Sequence, residues 1–543
     1  MEYTIKNQSG DCSYLAADAM RECRKMGAKT LKLEKGEYHF WAETADEDIC
    51  CVSNHGYNGF KRTAFSVKDM RDFTIDGNGS LLVFHGAMNA FIVNGCENVT
   101  LKNCGILFEK TLHGQFEVER VEDDFVDLRQ CTPQGYGYND TYYNHKNGLV
   151  YLENEQEYRN LVYTAEEINS DDNTFAAAEQ CFGTDFLTLK TEEKEEGLIR
   201  VYNPPRKPKL HNYVVLIAAE RYSNGVLFIK SKNVKAENIC IHSCYGIAFH
   251  AQRCENVEIS GCKTQTTEKR CFSANADATH FVGCNGKVWI HDCVFKNQLD
   301  DGVNVHGVYT KVIGKDEDSI TVKYVHYQCR GIELFEDGCD VAILNSKSLI
   351  PKVSTKVKKV RVLNIESTQL FLEGGTCGIE IGDIVDSLSF YPEVVIENNK
   401  FIDNRGRGIL MGSRENVLIS NNYFKTPGIS VKFESDSVYW YEAGGTRNVV
   451  IENNVFDDCC YLFEETQTNP WGREVIYTTP REEIEDGKYY HGKIVVRNND
   501  FSTCRCTLAD VENIEELVFE NNKVGGEISD RVSYRHCKSV TLD

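Results

Sequence analysis

The sequence predicts an all-β protein built as a right-handed parallel β-helix, with an N-terminal capping helix and two inserted small β-barrel-like modules. A six-residue template recurs along the chain, with apolar residues at alternate positions followed by a pair rich in Asn, Gly or Cys. Alternation is the spacing of a β-strand, and the polar pair is typical of a turn. Three pairs of neighbouring copies end 23 residues apart, at 239 and 262, 399 and 422, and 499 and 522. A repeat of that length, made of strands and turns, suits one coil of a β-helix.

The template copies place cysteine and asparagine at the same position of the coil. Cys262 and Cys293 end their copies, where Asn399 and Asn422 end later ones. We therefore expect these cysteines to stack at a turn and not to bind metal. The copies are VTLKNC (99–104), VKAENI (234–239), VEISGC (257–262), VWIHDC (288–293), VVIENN (394–399), VLISNN (417–422), VVIENN (449–454), IVVRNN (494–499) and LVFENN (517–522).

The first forty residues predict a cap for the β-helix. Leu15, Ala16, Met20 and Cys23 have helical spacing, and Gly27 follows them. A solenoid must cover its open end, because a free strand edge invites pairing with another chain.

Two long gaps separate template copies, from 104 to 239 and from 293 to 399, and both predict inserted β modules. The second contains TKVIGKDEDSITVKYVHY, two alternating runs across a polar turn, which is typical of a hairpin. The predicted division is 1–114 for the cap and first coils, 115–214 for an inserted module, 215–307 for coils with the catalytic aspartates, 308–390 for a second inserted module, and 391–543 for the C-terminal coils.

Composition excludes several classes of partner. The chain has 543 residues, 41% of them hydrophobic, and a formal net charge of -22. That charge disfavours nucleic acid and anionic membrane surfaces, which require clustered Lys and Arg. The 23 cysteines include no C-x-x-C pair, so we expect mostly reduced, buried thiols. The N-terminal stretch shows no secretion signal. A chain trimmed of its signal would look the same, so cytoplasmic and secreted locations both stay open.

The segment NQLDDGVNVHG (297–307) places Asp300 and Asp301 side by side. If the eight residues 263–270 bulge from their coil, Asp277 lies one coil beneath Asp300. On the next coil the same offsets give Gly406 and Arg407. Like charges in such a cluster raise at least one carboxyl pKa. A protonated carboxyl beside an ionised one is what acid/base hydrolysis of a glycoside requires.

Other residues near this register are candidate substrate-binding groups. His250 and Asn304 share one offset from the template, Arg405 and Arg407 flank a glycine beside the carboxylates, and Trp440 in a loop can stack on a sugar ring. The candidates are His250, Asn275, Asn304, His306, Arg405, Arg407, Trp440 and Glu442. No run of oxygen ligands at EF-hand spacing supports calcium.

These motifs resemble two families of β-helix enzymes. NAD (275–277) followed by LDD (299–301) is similar to the three-aspartate pattern of polygalacturonases, but the G-H-G and R-I-K motifs are absent. The sequence more closely resembles glycoside hydrolase family 110, the exo-acting α-1,3-galactosidases. The matching features are DDGVNVHG, the aspartate 23 residues upstream of it, NRGRGIL, and YWYEAGG before VVIENN.

The second resemblance implies an inverting hydrolase that removes terminal α-1,3-linked galactose, as on blood group B or linear α-galactosyl glycans. Carried over, Asp300 is the general acid, and Asp277 and Asp301 activate the water. It implies no metal or organic cofactor. Inversion predicts about 6.5–9.5 Å between acid and base. We also expect that none of the three aspartates is a core residue. A galactose-terminated oligosaccharide is the expected partner, and a homodimer stays an open alternative.

Two other classes also stay open. A polygalacturonase-like hydrolase or a polysaccharide lyase would act on a similar scaffold, the lyase with a Lys or Arg base and usually calcium. A β-helix that binds carbohydrate without catalysis would release no sugar. The aspartate triad disfavours the second class.

Overall fold

The computed structural model describes residues 1–56, 59–110, 112–131, 142–146, 149–153, 159–177, 180–218, 220–267, 270–462, 472–479 and 481–543. Its main body is a parallel β-helix, as predicted. The strand Lys232–Ile241 pairs in parallel with Glu97–Phe108 on one side and with Glu255–Ser260 on the other. Asn285–His291 and Glu393–Glu397 continue the same wall. Each coil therefore lies directly on the one before it.

The interior of the coils is apolar because alternate side chains of each strand point inwards. Val234 pairs with Val99 below it and with Val257 above it, and all three are buried. A column of phenylalanines runs through the later coils with ring centroids 4.5–5.8 Å apart. Its members are Phe295, Phe401, Phe424, Phe456, Phe501 and Phe519.

An asparagine ladder fixes one turn of the C-terminal coils. The Nδ2 of Asn399 donates to Oδ1 of Asn422 at 3.0 Å, and Asn422 donates in the same way to Asn454. Asn499 and Asn522 continue the ladder. The main-chain N–H of Cys293 donates to Asn399 at 2.9 Å. The prediction that cysteine and asparagine share this turn position is thereby confirmed. None of the 23 cysteines forms a disulfide, and most are buried.

The predicted capping helix is Ser13–Met26, and it packs on the strand Phe60–Lys68. Ala16, Met20 and Cys23 are buried on its inner face. The helix ends at Gly27, which has φ +63° and donates its N–H to the carbonyl of Arg24. Glycine suits this left-handed position because it has no Cβ to clash.

Two antiparallel modules interrupt the coils. The first is a sheet of eight strands, and the second is a closed barrel of six. The strands of the first are Gly114–Val121, Phe125–Gln130, Tyr142–Lys146, Leu149–Glu153, Arg159–Ile168, Lys190–Glu195, Leu198–Tyr202 and Tyr213–Ala218. Those of the barrel are Thr310–Lys315, Ser319–Lys323, Asp340–Leu344, Pro351–Val362, Ser367–Leu372 and Ile384–Ser387. Each module leaves the β-helix and returns to it between two coils.

The remaining strands belong to the β-helix. Before the first module they are Glu2–Ile5, Thr30–Leu33, Glu37–Trp41, Asp46–Ile49, Phe60–Lys68, Arg71–His85, Asn89–Asn94 and Glu97–Phe108. Between the modules they are Val226–Ile229, Lys232–Ile241, Phe249–Gln252, Glu255–Ser260, Lys263–Thr264, Thr279–Val282, Asn285–His291, Val294–Lys296 and Val303–Val308. After the barrel they are Glu393–Glu397, Lys400–Ile402, Ile409–Met411, Asn416–Ser420, Tyr423–Lys425, Val431–Phe433, Glu442–Ala443, Asn448–Glu452, Val455–Phe456, Glu474–Thr478, His491–Arg497, Thr507–Glu520 and Val532–Leu542. Short 3-10 turns are Ala42–Thr44, Phe186–Thr188, Tyr327–Cys329 and Ile528–Asp530. Within the described residues, no helix has both the length and the apolar character that crossing a membrane requires.

Candidate active site

A cavity of about 370 Å³ lies where the middle coils meet the first inserted module, and Asp277, Asp300 and Asp301 all line it. The β-helix supplies its floor, and Tyr163 of the first module forms part of its wall. The lining residues are Asn54, Tyr163, Arg221, Asp277, His280, Asp300, Asp301, Asn304, Arg405, Arg407, Leu410, Lys432, Glu434, Asp436, Trp440 and Glu442. The structure therefore brings together the three aspartates that the sequence singled out.

Asp277 lies beneath Asp301 and not, as the sequence predicted, beneath Asp300. Thr279 pairs with Val303, which sets residue 277 level with 301, and the main-chain N–H of Asp301 donates to Oδ1 of Asp277 at 3.2 Å. The expected eight-residue bulge is in fact divided between two places.

Seven of the eight extra residues leave the coil between Thr264 and Ala274. Partners are 23 residues apart at Ile241 and Thr264, but 30 apart at Cys244 and Ala274. The eighth is a β-bulge next to Gly286, where the pairing shifts by one residue. Gly286 has φ +65°, which suits glycine at such a bulge.

The three carboxylates differ in exposure. Asp277 and Asp301 are 2% and 1% exposed, whereas the side chain of Asp300 is 17% exposed. The expectation that none of them is a core residue is wrong for Asp277 and Asp301, because the coil register carries both to the bottom of the cavity, where they are buried. One oxygen from each carboxylate lies within 4.8 Å of the others. This is closer than the predicted separation of about 6.5–9.5 Å.

Two arginines allow the carboxylates to lie this close. Nη2 of Arg221 donates to Oδ2 of Asp300 at 2.7 Å. Arg407 holds both oxygens of Asp301, through its main-chain N–H at 2.6 Å and its Nη2 at 2.8 Å. Paired guanidinium groups offset the repulsion between like charges that burial would otherwise strengthen.

Behind Asp277, a chain of hydrogen bonds passes through two buried histidines. Oδ2 of Asp277 contacts Nδ1 of His280, whose Nε2 lies 2.9 Å from Nε2 of His306. Nδ1 of His306 lies 2.5 Å from the carbonyl of Gly307, so it must carry a proton. Nε2 of His306, which also lies 3.5 Å from Oε1 of Glu442, accepts from Nε2–H of His280 in this arrangement. Nδ1 of His280 is left as an acceptor, and the proton of that contact lies on Asp277.

The pKa values agree with this arrangement of protons. Burial, with Asp300 and Asp301 close by, raises the pKa of Asp277 well above its usual value. Burial lowers the pKa of His280 well below its usual value, and the neighbouring His306 lowers it further. Burial raises the pKa of Asp301 to about 7, although Arg407 opposes the shift. The Asp277–Asp301 pair therefore retains a proton in the unliganded cavity.

The remaining wall of the cavity is built from paired polar groups. Nε of Arg405 donates to Oε1 of the fully buried Glu166 at 2.6 Å, which ties the β-helix to the first module. Glu442 accepts from Nδ2 of Asn54 at 3.2 Å. Trp440 lines the cavity with 39% of its surface exposed, so it is available to a ligand.

Three of the predicted substrate-binding residues do not line this cavity. His250 is fully buried and bonds to Ser53 and Asn224, because its strand faces a loop that covers it. His306 lies behind His280, as described above. Asn275 lines a neighbouring cavity. Asn304, Arg405, Arg407, Trp440 and Glu442 line the main cavity as expected.

Sequence reasoning missed Arg221 and His280. His280 pairs with His250 and Asn304 on the adjacent coils, so a correct placement of the bulge would have identified it. Arg221 follows the return from the first module and belongs to no template copy, so no pattern marks it. Asn54, Tyr163 and Asp436 were missed for the same reason. Lys432 is in register with Asn304 through Leu410, so the coil register could have identified it and Glu434 two residues further on.

Among the residues that the structure describes, two groups of side chains have the composition of a metal site: the three aspartates, and His280 with His306 and Glu442. Arg221 and Arg407 already neutralise the aspartates and would repel a cation. In the second group, the ring nitrogens of both histidines are engaged in the hydrogen-bond chain that starts at Asp277. Neither group fits a resident metal.

The chain is similar to several known proteins. Residues 319–385 match the protein-family model described as GLAA-B beta-barrel domain II. The chain is 30% identical over 534 residues to Alpha-1,3-galactosidase A of Shewanella woodyi, with 96% of this chain and 85% of that protein covered. It is 27% identical to Alpha-1,3-galactosidase B of Phocaeicola vulgatus, with 94% and 86% covered. Among solved structures, an exopolygalacturonase from Thermotoga maritima is similar at a TM-score of 0.42 and 13% identity, with 97% and 92% covered.

Proposed function

Because the chain belongs to the family of the alpha-1,3-galactosidases, glycoside hydrolase family 110, we propose that it is an inverting exo-α-1,3-galactosidase. Its substrates would be glycans that end in α-1,3-linked galactose, such as blood group B or linear α-galactosyl structures. Family membership supports hydrolysis of an α-galactoside. The linkage, the natural glycan and the stereochemistry are the finer parts of the proposal.

The charge balance of the aspartate cluster carries the mechanism. Three carboxylates face two guanidinium groups, those of Arg221 and Arg407, so one proton shared among the carboxylates makes the cluster neutral. Hydrolysis by inversion requires that state: one protonated acid, and ionised carboxylates that activate a water. Burial strengthens the preference for neutrality, because uncompensated charge is costly at low dielectric.

The roles follow from position. Asp300 is the most exposed of the three and would donate its proton to the glycosidic oxygen as the bond to galactose breaks. Asp277 and Asp301, one above the other, would hold the water and accept its proton as it attacks the anomeric carbon. In the unliganded cavity the proton lies in the Asp277–Asp301 pair, so these roles require it to pass to Asp300 when substrate arrives.

Inversion is proposed on grounds other than spacing, since the carboxylates lie closer than is typical of inverting pairs. A retaining mechanism needs a carboxylate free to bond the anomeric carbon. Asp277 is held by His280 and by the N–H of Asp301, and Asp301 is held by Arg407 at both oxygens. Groups held in this way suit the positioning of a water better than covalent attack.

The cavity suits a neutral sugar better than a uronic acid. Each Lys or Arg among its described lining residues is already paired with a carboxylate, so none is left to bind the carboxylate of a galacturonate. The pairs are Arg221 with Asp300, Arg405 with Glu166, Arg407 with Asp301, and Lys432 with Glu434. This disfavours the polygalacturonase-like alternative, and it leaves a lyase without a free basic residue here.

A substrate screen tests the proposal. Purified protein is incubated with galactosyl-α-1,3-galactose, the blood group B trisaccharide, α-1,4- and α-1,6-linked digalactosides, and oligogalacturonate. Released sugar is measured by chromatography, with Asp300→Asn as the control. We expect galactose from the α-1,3-linked substrates alone. Release from oligogalacturonate, an unsaturated product absorbing in the ultraviolet, or binding without release would reject the proposal.

A further inference from the structure

A second cavity, of about 290 Å³, adjoins the main one, and Asp300 lies at their boundary. Asp277 and Asp301 line only the main cavity, whereas five residues line both: Tyr163, Arg221, Asp300, Arg405 and Trp440. An acid that reaches two cavities is placed to protonate an oxygen that joins groups held in each. We call this second cavity the leaving-sugar cavity.

Asn275 presents an unpartnered amide to this cavity. The residue is only 5% exposed, and neither Oδ1 nor Nδ2 has a hydrogen-bond partner among the described residues. Its backbone is fixed, because Nε2 of His113 lies 3.2 Å from its carbonyl and its own N–H bonds to Cys244. A buried primary amide with no partner is unfavourable. Hydroxyl groups of a ligand would donate to its Oδ1 and accept from its Nδ2.

Apolar and aromatic side chains form part of the wall of the leaving-sugar cavity, beside the polar His113, Arg221, Gln328 and Arg405. Ile217 and Ala218 come from the first module, and Leu299 comes from the β-helix. Tyr327, in the second insertion, and Trp440 add two aromatic rings. A pyranose has one apolar face and a polar rim, so a site that combines aromatic rings with a hydrogen-bonding amide matches it.

We propose that this cavity binds the sugar to which the terminal galactose is attached, and that the amide of Asn275 hydrogen-bonds its hydroxyl groups. This inference rests on the proposed function, and it extends that function to the leaving group. Both inserted modules contribute wall residues, so they would help to select the leaving sugar, while the β-helix carries out the chemistry. Asn275 is then a specificity residue, separate from the three aspartates.

Two substrates separate this role from catalysis. Galactosyl-α-1,3-galactose has a leaving sugar, whereas α-galactosyl fluoride has the same galactose and a leaving group with no sugar to bind. For Asn275→Ala we expect kcat/KM on the disaccharide to fall at least tenfold more than on the fluoride. Asn304→Ala is the matched control: its Oδ1 is also buried and unpartnered, but it faces the galactose side, so both substrates should lose activity alike.

The possible results are distinguishable. Equal losses on both substrates in Asn275→Ala would overturn the leaving-sugar assignment. If the unaltered protein hydrolyses neither substrate, the proposed function itself fails. Should Asn275→Ala misfold by circular dichroism, Tyr327→Ala provides the second measurement, because Tyr327 lines the leaving-sugar cavity but not the main one and is only partly buried. A disaccharide loss no greater than the fluoride loss in that variant would also overturn the proposal.

Discussion

The main-chain N–H of Asp301 donates to Oδ1 of Asp277 at 3.2 Å, so two buried carboxylates lie on adjacent coils in direct register. Asp300, one residue earlier, points to the boundary between the two cavities. This arrangement separates a buried pair from a single exposed acid. The following predictions test what that separation means for chemistry and stability.

The first product from an α-galactoside is expected to be β-galactose. If Asp277 and Asp301 hold the water, it attacks the face of the sugar opposite the leaving group. Proton NMR within the first minutes of reaction, before mutarotation, distinguishes the anomers. Initial α-galactose would instead require a covalent intermediate and would reject the roles given to these aspartates.

Asp277→Asn and Asp301→Asn should each lower kcat by about 10²–10⁴-fold, but they should differ in stability. Asn replaces a carboxyl that is already protonated at 277, so the free energy of unfolding should change by less than about 1 kcal/mol. At 301, compared at pH 8 where this carboxyl is ionised, the change deprives the partly exposed Arg407 of a carboxylate partner, which costs about 1–3 kcal/mol. Urea unfolding measures both values, and equal destabilisation would contradict the proton assignment.

Activity and stability should respond oppositely to pH between about 4 and 7. The pKa of Asp301 is raised to about 7 by burial, from about 3.9 in an unfolded chain. The folded state therefore holds the extra proton, and its stabilisation is complete below about pH 4 and lost as pH rises to 7. Activity needs a cluster that holds a single proton, so it should rise over the same range as the proton of Asp301 is lost.

Melting temperature and kcat/KM measured across that range test this opposition. The apparent pKa belongs to the coupled cluster and not to Asp301 alone. Asp277→Asn serves as the control, because it removes one of the two raised groups and should flatten the fall in melting temperature. If the melting temperature of the unaltered protein rose between pH 4.5 and 7, the assignment of the raised pKa values would be contradicted.

His306→Leu should move the ascending limb of the pH profile to lower pH. Without the acceptor at 306, His280 is free to carry its proton on Nδ1 and to donate it to Asp277. That contact favours the ionised carboxylate and lowers its pKa. His491→Leu is the matched control, since His491 is equally buried but bonds to Thr446, away from the cavity. An identical limb in both variants would remove His306 from the proton chain.

The Arg405–Glu166 pair should couple the first module to the β-helix. Glu166→Gln and Arg405→Met each leave a buried charge without its partner, at a cost of about 3–5 kcal/mol. The double variant should lose less than the sum of the two, which a double-mutant cycle measures by denaturant unfolding. Strict additivity would mean that the two side chains do not interact energetically.

The coil pattern was readable from sequence because burial imposes a period of two on every strand, and because the turn demands Asn or Cys at one place. That logic located Asp277, Asp300, Asp301 and Arg407 in one cluster. It placed Asp277 one residue off, since a single bulge at Gly286 is invisible to a count of coil lengths. Arg221 could not be predicted, because it lies in a connecting segment. The contacts of such a segment depend on tertiary packing and follow no repeat.

The asparagine ladder holds the coils after residue 399 in a fixed register. Its members are 23, 32, 45 and 23 residues apart along the chain, yet each bonds to the next in the same geometry. Excess length must therefore leave at other corners, so loops there can be lengthened or trimmed without moving the strands. The asparagine ladder does not extend to Cys262 and Cys293, and in that coil the register shifts by the one residue that brings Asp277 under Asp301. Loop length can therefore vary in one stretch of the β-helix, whereas a different stretch sets the register of the catalytic residues.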